Sequence, residues 1–181
     1  RVLVHAVGSS VGIAVMQIAS AMQCNVYGTS RSAWKLERAR ALGLRYPIQA
    51  DAPDFAAQLL RHGGADVLVD FVGAPYFERN LAAMAPRGRM VSLATMGGAN
   101  TELSLQTLMR KRLHLIGSVL RSRSLQEKTD AIQAFELDVV PLLAAGELQV
   151  PIDKVFPLED AAAAHRYVES NENFGKVVLR I

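Results

Sequence analysis

The sequence predicts an α/β protein with a doubly wound, mainly parallel sheet and helices on both faces. Short runs rich in β-branched residues alternate along the chain with segments of helical periodicity. Several runs, such as residues 1–6 and 65–73, are apolar at most positions, which is typical of strands buried on both faces. The turn after the first run consists of small residues and leads directly into a helical pattern. These features indicate parallel strands joined by right-handed helical crossovers.

The first half of the chain contains four predicted strands, each followed by a predicted helix. Ser32 stands at an N-cap position of the second helix, and Gly43 follows that helix as a C-cap glycine. The predicted strands cover residues 1–6, 25–30, 46–50 and 65–73, and the predicted helices cover residues 11–23, 32–43, 53–64 and 75–88.

The second half continues the alternation. Strands are predicted at residues 89–95, 113–120 and 175–181, helices at 103–111 and 124–146, and a strand followed by a helix within 154–170. Pro141 falls inside the long helix, and we expect it to disturb that helix. Because no repeat or linker-like stretch interrupts the pattern, we expect residues 1–181 to form one domain.

The composition is that of a globular domain, with half of its 181 residues hydrophobic. One cysteine excludes a disulfide framework and a Cys-based zinc site, and favours a reducing, cytoplasmic compartment. The four histidines lack ligand spacing, so we assign no metal site. No apolar run approaches the length of a membrane span. The net charge of +3 is weak evidence for nucleic-acid binding.

The turn VGSSVG, residues 7–12, is a candidate phosphate-binding turn. Aligned on Gly12, the dinucleotide pattern G-x-G-x-x-G is met only at that last position. The turn is nevertheless small enough for a phosphate to approach the helix N-terminus, and Ser9 and Ser10 offer hydroxyl donors. Gly12 would permit close packing of the helix against the strand. An ordinary turn with a serine N-cap explains the same residues, so the turn alone leaves both interpretations open.

The end of the second strand favours NADP(H) over NAD(H). NAD sites usually carry an Asp or Glu there, roughly 20 residues past the first glycine. In this chain no carboxylate appears before Glu37, inside the next helix, and Ser30, Arg31 and Lys35 stand there instead. Hydroxyls and cations suit a 2′-phosphate. A solvated helix start is the alternative, although cations at a helix N-terminus are mildly unfavourable.

Several further motifs occur in one register with this turn: GTSRSAWKLERARALG, LVDFVGAPYFERNL, GRMVSLATMGG, LIGSVLRSRSLQEK and AHRYVESNENFGKVVLRI. With them the whole chain resembles the Rossmann-like cofactor domain of the medium-chain dehydrogenase/reductase superfamily. It resembles specifically the zinc-independent NADPH:quinone oxidoreductases, the type that includes the p53-inducible quinone reductase. The resemblance implies that a GroES-like N-terminal catalytic domain is absent from this chain.

The resemblance also implies which residues bind the cofactor. Arg31 replaces a small residue that is common in the family, and the family's adenine-side Tyr has no counterpart in register. The implied contacts are Ser9, Ser10, Val11 and Gly12 along the pyrophosphate, Ser30, Arg31 and Lys35 around the 2′-phosphate, Gly73, Met96 and Gly97 after the fourth and fifth strands, Ser118, Val119 and Leu120 near the nicotinamide, and Asn173, Phe174 and Gly175 closing over the phosphates. The glycines have a tight-turn role as their alternative, and Asp70 is interpreted as a structural carboxylate.

By resemblance, the full protein would transfer hydride from NADPH to a quinone or a similarly activated double bond. No acid–base pair or nucleophile stands out, so no catalytic residue is assigned, and we expect this domain alone to turn over little. Two alternatives remain: the cofactor domain of an enoyl-thioester reductase of fatty acid or polyketide type, and a nucleotide-regulated RNA-binding protein without turnover, suggested by the basic clusters LRSRS and MRKR. The resemblance further implies a homodimer joined through an edge strand within residues 114–120.

Overall fold

The computed structural model describes residues 1–50 and 55–181. The strands are β1 (Val2–Val4), β2 (Val26–Ser30), β3 (Tyr46–Gln49), β4 (Ala65–Asp70), β5 (Met84–Ser92), β6 (His114–Gly117), β7 (Ile152–Pro157) and β8 (Lys176–Arg180). The helices are α1 (Ser10–Ala21), α2 (Ala33–Ala41), α3 (Phe55–Leu60), α4 (Ala74–Ala83), α5 (Leu105–Lys111), α6 (Leu125–Asp138), α7 (Val140–Ala144) and α8 (Ala161–Glu169).

Strands β1 to β6 form one parallel sheet in the order β3-β2-β1-β4-β5-β6. The chain starts in the middle of the sheet, runs outward to β3, returns to β4 and runs outward to β6. This order confirms the predicted doubly wound fold. The direction of winding reverses between β1 and β4, and in such sheets ligands bind at the carboxyl ends of the strands beside that reversal.

A buried apolar cluster covers each face of the sheet. Val2 and Val4 of β1 belong to the cluster under α1 and α2, where Met16 is fully buried. The intervening Leu3 points to the other face and joins the cluster under α3 and α4 with Phe55. The alternation along β1 places helices on both faces, as predicted.

The last two strands do not extend the main sheet. Strands β7 and β8 pair with each other in parallel. A single bridge between Ser9 and Gly175 connects the entry to β8 with the turn that follows β1. The C-terminal segment therefore lies beside the candidate phosphate turn.

One predicted helix is longer than the observed one. The helix predicted at residues 75–88 ends at Ala83, and β5 begins at Met84, five residues before the predicted start at residue 89. Proline cannot donate a helical hydrogen bond and disfavours helix at the preceding residue, which argues against continuing the helix through Pro86. The strand then bulges: Ala65 pairs with Met84 but Val67 pairs with Arg89.

Other boundaries shift by a few residues. The expected disturbance near Pro141 is confirmed, since α6 ends at Asp138 and α7 begins at Val140. The predicted strand 113–120 is shorter and leaves the sheet after Gly117. Residues 53 and 54 of the predicted helix 53–64 lie outside the described residues. Among the described residues, none of the helices combines the length and apolar character needed to cross a bilayer.

Candidate functional site

The turn after β1 brings the N-terminus of α1 close to the sheet. Ser9 is the N-cap of α1, and its Oγ accepts a hydrogen bond from the backbone N–H of Gly12 at 3.0 Å. A Cβ at Gly12 would overlap the carbonyl oxygen of Ala6. Only glycine therefore lets the first turn of α1 pack this closely against the end of β1, as the sequence predicted for this position.

The two serines of this turn differ in their free hydrogen-bonding capacity. The Ser9 hydroxyl accepts from Gly12, so its own proton remains to be donated. The Ser10 hydroxyl donates to the carbonyl oxygen of Gly175 at 3.0 Å, so it can only accept from a further partner. The expectation that both hydroxyls donate to phosphate thus fits Ser9 and not Ser10 in this conformation. Val11, the next residue, is exposed at the mouth of the turn.

The three residues predicted to surround a 2′-phosphate lie at the end of β2 and the start of α2. Ser30 is buried, and its Oγ accepts from the backbone N–H of Ser32 at 3.1 Å. Arg31 is exposed and makes no hydrogen bond or ion pair with any described residue. Its guanidinium is therefore free to bind an anion. Lys35 is instead buried beneath the C-terminal segment.

The carboxyl end of β4 is organised by a buried acid. Asp70 is fully buried and accepts hydrogen bonds from the backbone N–H groups of Val72 at 2.8 Å and Gly73 at 3.1 Å. This confirms its interpretation as a structural carboxylate. The loop after β5 packs on the same turn, because the N–H of Gly97 donates to the carbonyl oxygen of Val72 at 2.8 Å. Gly73 and Gly97 are thus brought together beside the reversal in the sheet.

Exposed apolar side chains also follow the carboxyl ends of β5 and β6. Met96 follows β5 and is 87% exposed, and Val119 and Leu120 follow β6 and are 61% and 66% exposed. Ser118 anchors their loop, since its backbone N–H donates to the carbonyl oxygen of Ser92 at 3.1 Å. Met96, Val119 and Leu120 thus present exposed apolar side chains after two adjacent strands, and the resemblance expects residues 118–120 near the nicotinamide.

Residues 171–175, here called the C-terminal strap, cross from α8 to the phosphate turn. The Gly175 N–H donates to the carbonyl oxygen of Gly8 at 3.0 Å, and the Asn173 side chain donates to the carbonyl oxygen of Gly175 at 3.2 Å. Phe174 is 1% exposed and packs in the core near Trp34. Its side chain is therefore an anchor for the strap and does not reach a ligand.

One residue of the strap was missed from the sequence. Asn171 accepts two hydrogen bonds from the Lys35 ammonium, at 2.7 Å on its carbonyl oxygen and 2.9 Å on Oδ1. The two residues lie 136 positions apart, so no local pattern could pair them. The only local signal in the sequence was an asparagine just after a predicted helix. Asparagine adopts the left-handed backbone conformation more readily than most residues, and Asn171 has φ 59°.

His5 has a structural role in the core and is not part of the candidate site. His5 is fully buried between Thr29 Oγ1 and Asn80 Oδ1, both at 2.8 Å. Burial lowers the pKa of His5, which keeps its ring neutral in the core. Over residues 1–50 and 55–181, no group of three or more His, Cys, Asp or Glu side chains is arranged to hold a metal ion.

The arrangement fits a dinucleotide phosphate group on two counts. The close approach of α1 at Gly12 presents a helix N-terminus at the sheet reversal, and the unpaired Arg31 adds a cation at the next strand end. The residues that would hold the group are Ser9, Ser30 and Arg31, and the stem of Lys35 runs against the same turn at Gly8.

Comparison with known proteins places the chain in a family. Residues 42–179 match the zinc-binding dehydrogenase family. The 2-haloacrylate reductase of Burkholderia sp is 28% identical over 188 residues, covering 98% of this chain and 54% of that protein. A phenolphthiocerol/phthiocerol polyketide synthase chain of Mycobacterium tuberculosis is 28% identical over 185 residues, covering all of this chain and 8% of that protein.

A solved structure shows the same fold at similar sequence distance. The quinone oxidoreductase of Thermus thermophilus, whose complex with NADPH is also known, superposes with a TM-score of 0.87 at 28% identity. The match covers 99% of this chain and 57% of the Thermus chain, so this chain spans about half the length of such relatives. The resemblance inferred from the motifs is confirmed, and this chain belongs to the zinc-binding dehydrogenase family.

Proposed function

We propose that this chain is the NADPH-binding domain of an oxidoreductase that transfers hydride from NADPH to a quinone or a similarly activated double bond. The observation that carries the proposal is the pairing of a close-packed α1 N-terminus with the unpaired Arg31 at the end of the neighbouring strand β2. The first feature suits the pyrophosphate of any dinucleotide. The second, without a competing carboxylate before Glu37, suits a 2′-phosphate.

NADPH would supply the hydride when bound. The contribution of the chain is to bind and orient the dinucleotide and to keep water away from its reactive end. The helix N-terminus and Ser9 hold the phosphates, and Arg31 recognises the adenosine end. Met96, Val119 and Leu120 give the nicotinamide end an apolar wall. The resemblance to the zinc-independent NADPH:quinone oxidoreductases supports a hydride transfer that uses no zinc.

The test is a fluorescence titration of the chain with NADPH and with NADH. We expect NADPH to bind at least tenfold more tightly than NADH, because charge-assisted hydrogen bonds to a phosphate are strong. Arg31→Ala should weaken NADPH binding about five- to thirtyfold, which corresponds to about 1–2 kcal/mol, and leave NADH binding unchanged. Equal affinity of the wild-type chain for both nucleotides would refute the assignment of the 2′-phosphate site.

A second acceptor class is favoured by one comparison. The polyketide synthase relative matches the whole chain, so an enoyl-thioester is the alternative acceptor for the full protein. The full-length protein should be assayed with NADPH against a benzoquinone and against a crotonyl-thioester. Faster turnover of the thioester would replace the quinone assignment and leave the nucleotide assignment intact. Family membership favours both of these over the RNA-binding hypothesis.

We further propose that a catalytic domain, absent from this chain, covers the apolar face of its C-terminal part. Helix α6 has no buried residue, and Leu125 and Ile132 on it are 82% and 65% exposed. An open apolar groove of about 640 Å³ runs between this helix and Leu120. We assign this groove to the other part of the full protein, because this chain corresponds to only about half the length of its relatives. Hydrogen exchange in α6 should be slower in the full-length protein, and unchanged exchange would refute this.

The exposed edge of the sheet supports a homodimer. Strand β6 is the last strand of the six-stranded sheet, and all four of its residues are exposed. Unpaired edges invite strand pairing, and a two-fold axis would join two such edges in one continuous sheet. Light scattering at high concentration should give a dimer mass for the wild-type chain and a monomer mass for Ile116→Lys. A monomeric wild type would refute this interface. We also infer a cytoplasmic location from the single cysteine.

A further inference from the structure

We propose that Asn171 is a positioning residue for NADPH specificity: it holds the Lys35 ammonium beside the phosphate turn, ready for the 2′-phosphate. This inference rests on the proposed function and adds a residue to it. Asn171 itself need not touch the nucleotide, because it acts through Lys35. The inference follows from three observations on the Lys35 side chain.

The first observation is the path of the Lys35 stem. A Cβ at Gly8 would lie 2.7 Å from Lys35 Cδ and 3.2 Å from Lys35 Cγ. The aliphatic stem therefore runs directly against the backbone of the phosphate turn, and Lys35 is only 5% exposed. Any side chain at position 8 would collide with this stem, so glycine is required there. The ammonium is thus fixed at the candidate site instead of moving freely in solvent.

The second observation is the nature of its hydrogen-bond partners. Lys35 Nζ donates to two oxygens of Asn171, at 2.7 and 2.9 Å, and both oxygens are neutral. An ammonium has three donors, so one N–H remains for a further acceptor. Among the described residues no carboxylate lies within ion-pair distance of Lys35. Asp153 is the acid that acts on Lys35 electrostatically, and it is already bonded to Arg38 and Tyr167.

The third observation is that burial disfavours the charged form of Lys35. Burial lowers the pKa of Lys35, since a desolvated ammonium without a counter-ion is disfavoured. Exposed Arg31 nearby adds a second positive charge and acts in the same direction. A phosphate dianion would relieve both effects. Because Asn171 is neutral, it leaves the positive charge of Lys35 without a counter-ion, so that an anionic ligand can neutralise it. An acidic residue at position 171 would neutralise that charge itself.

The position also couples recognition to the C-terminal strap. Asn171 begins the strap, and Gly175 ends it with hydrogen bonds to Gly8 and Ser10 on the phosphate turn. Lys35 therefore joins the strap to the turn from the side of α2. An anion bound by Lys35 would be bound where strap, turn and α2 meet, so a 2′-phosphate would stabilise the strap in place.

The test replaces the neutral partner by a charged one of the same shape. Asn171→Asp puts a carboxylate on the Lys35 ammonium and keeps a residue that tolerates the left-handed backbone. We expect its affinity for NADPH to fall at least tenfold, its affinity for NADH to change less than twofold, and its melting temperature to stay equal or rise. Asn171→Gly, which removes only the Oδ1 contact, should have a smaller effect in the same direction. Asn25→Asp, the same change at an exposed position just before β2 and so at the opposite ends of the strands, is the matched control.

The possible results distinguish failure of this inference from failure of the 2′-phosphate assignment. A wild type that prefers NADPH and an Asn171→Asp variant that loses the preference support the inference. Retention of the preference in Asn171→Asp overturns it and leaves the proposed function standing. Equal loss of NADPH and NADH binding in that variant also overturns it, because the residue would then only support the fold. A wild type that does not distinguish the two nucleotides overturns both the inference and the 2′-phosphate site.

Discussion

Replacing Gly12 by alanine tests whether the close approach of α1 to β1 is required. The added methyl would overlap the Ala6 carbonyl oxygen and lie 2.9 Å from its carbon, and both are backbone atoms that cannot rotate away. Overpacking of this kind costs about 1–3 kcal/mol or more, while alanine gains about 1 kcal/mol in helix propensity over glycine. The net loss should be about 1–2 kcal/mol, because an overlap with backbone belongs to the upper part of the overpacking range.

This loss is measurable by thermal unfolding together with nucleotide titration. At roughly 2–4 °C per kcal/mol for a chain of this size, the melting temperature of Gly12→Ala should fall by about 2–8 °C. NADPH binding should weaken as the helix N-terminus retreats. Gly117→Ala is the matched control when both variants are compared at a concentration at which they are monomeric, because a Cβ there would meet nothing within 4 Å in its own chain. If Gly12→Ala is as stable as Gly117→Ala and binds NADPH like the wild type, the reasoning about this turn is wrong.

Three further predictions concern stability. Asp70→Asn should lose one of the backbone hydrogen bonds that the carboxylate accepts, lowering the free energy of unfolding by about 1–3 kcal/mol; an unchanged urea midpoint would contradict the structural role. Lys111→Met removes an ammonium bonded to three carbonyl oxygens at the end of α4, and should cost about 1–2 kcal/mol by the same assay; no change would show that these bonds add nothing. Because burial lowers the pKa of His5, the unfolded chain binds a proton first as pH falls, so stability should decline below about pH 6.5. This decline should flatten in His5→Gln but persist in His114→Gln, and a persistent decline in both would contradict it.

Much of the fold follows from local patterns. Apolar runs with helical segments between them predicted the parallel sheet, because strands buried on both faces must be apolar throughout. Pro141 predicted the break between α6 and α7 through the hydrogen bond that proline cannot make. The helix end at Ala83 was missed although Pro86 carried the same information. The start of β5 was hidden because a bulge separates its first residue from the rest.

The candidate site was predictable only where its chemistry is local in sequence. Gly12 and Arg31 could be chosen from their distances to the strand ends, and the structure places them there, at the start of α1 and the end of β2. The orientation of Lys35 could not be predicted, since its partner Asn171 comes from the far end of the chain. Phe174 was chosen as a ligand contact, yet its side chain fills the core. A long-range contact that buries a side chain leaves little trace in the residues around it.

The central claim is that the turn after β1 and the end of β2 together recognise a phosphorylated adenosine. Calorimetric titration with 2′,5′-ADP and with 5′-AMP tests it most directly, because the two ligands differ only by the 2′-phosphate and need no catalytic domain. We predict that 2′,5′-ADP binds the wild-type chain at least tenfold more tightly than 5′-AMP, and that Arg31→Ala removes most of this difference. Equal binding of the two ligands by the wild-type chain would contradict the claim.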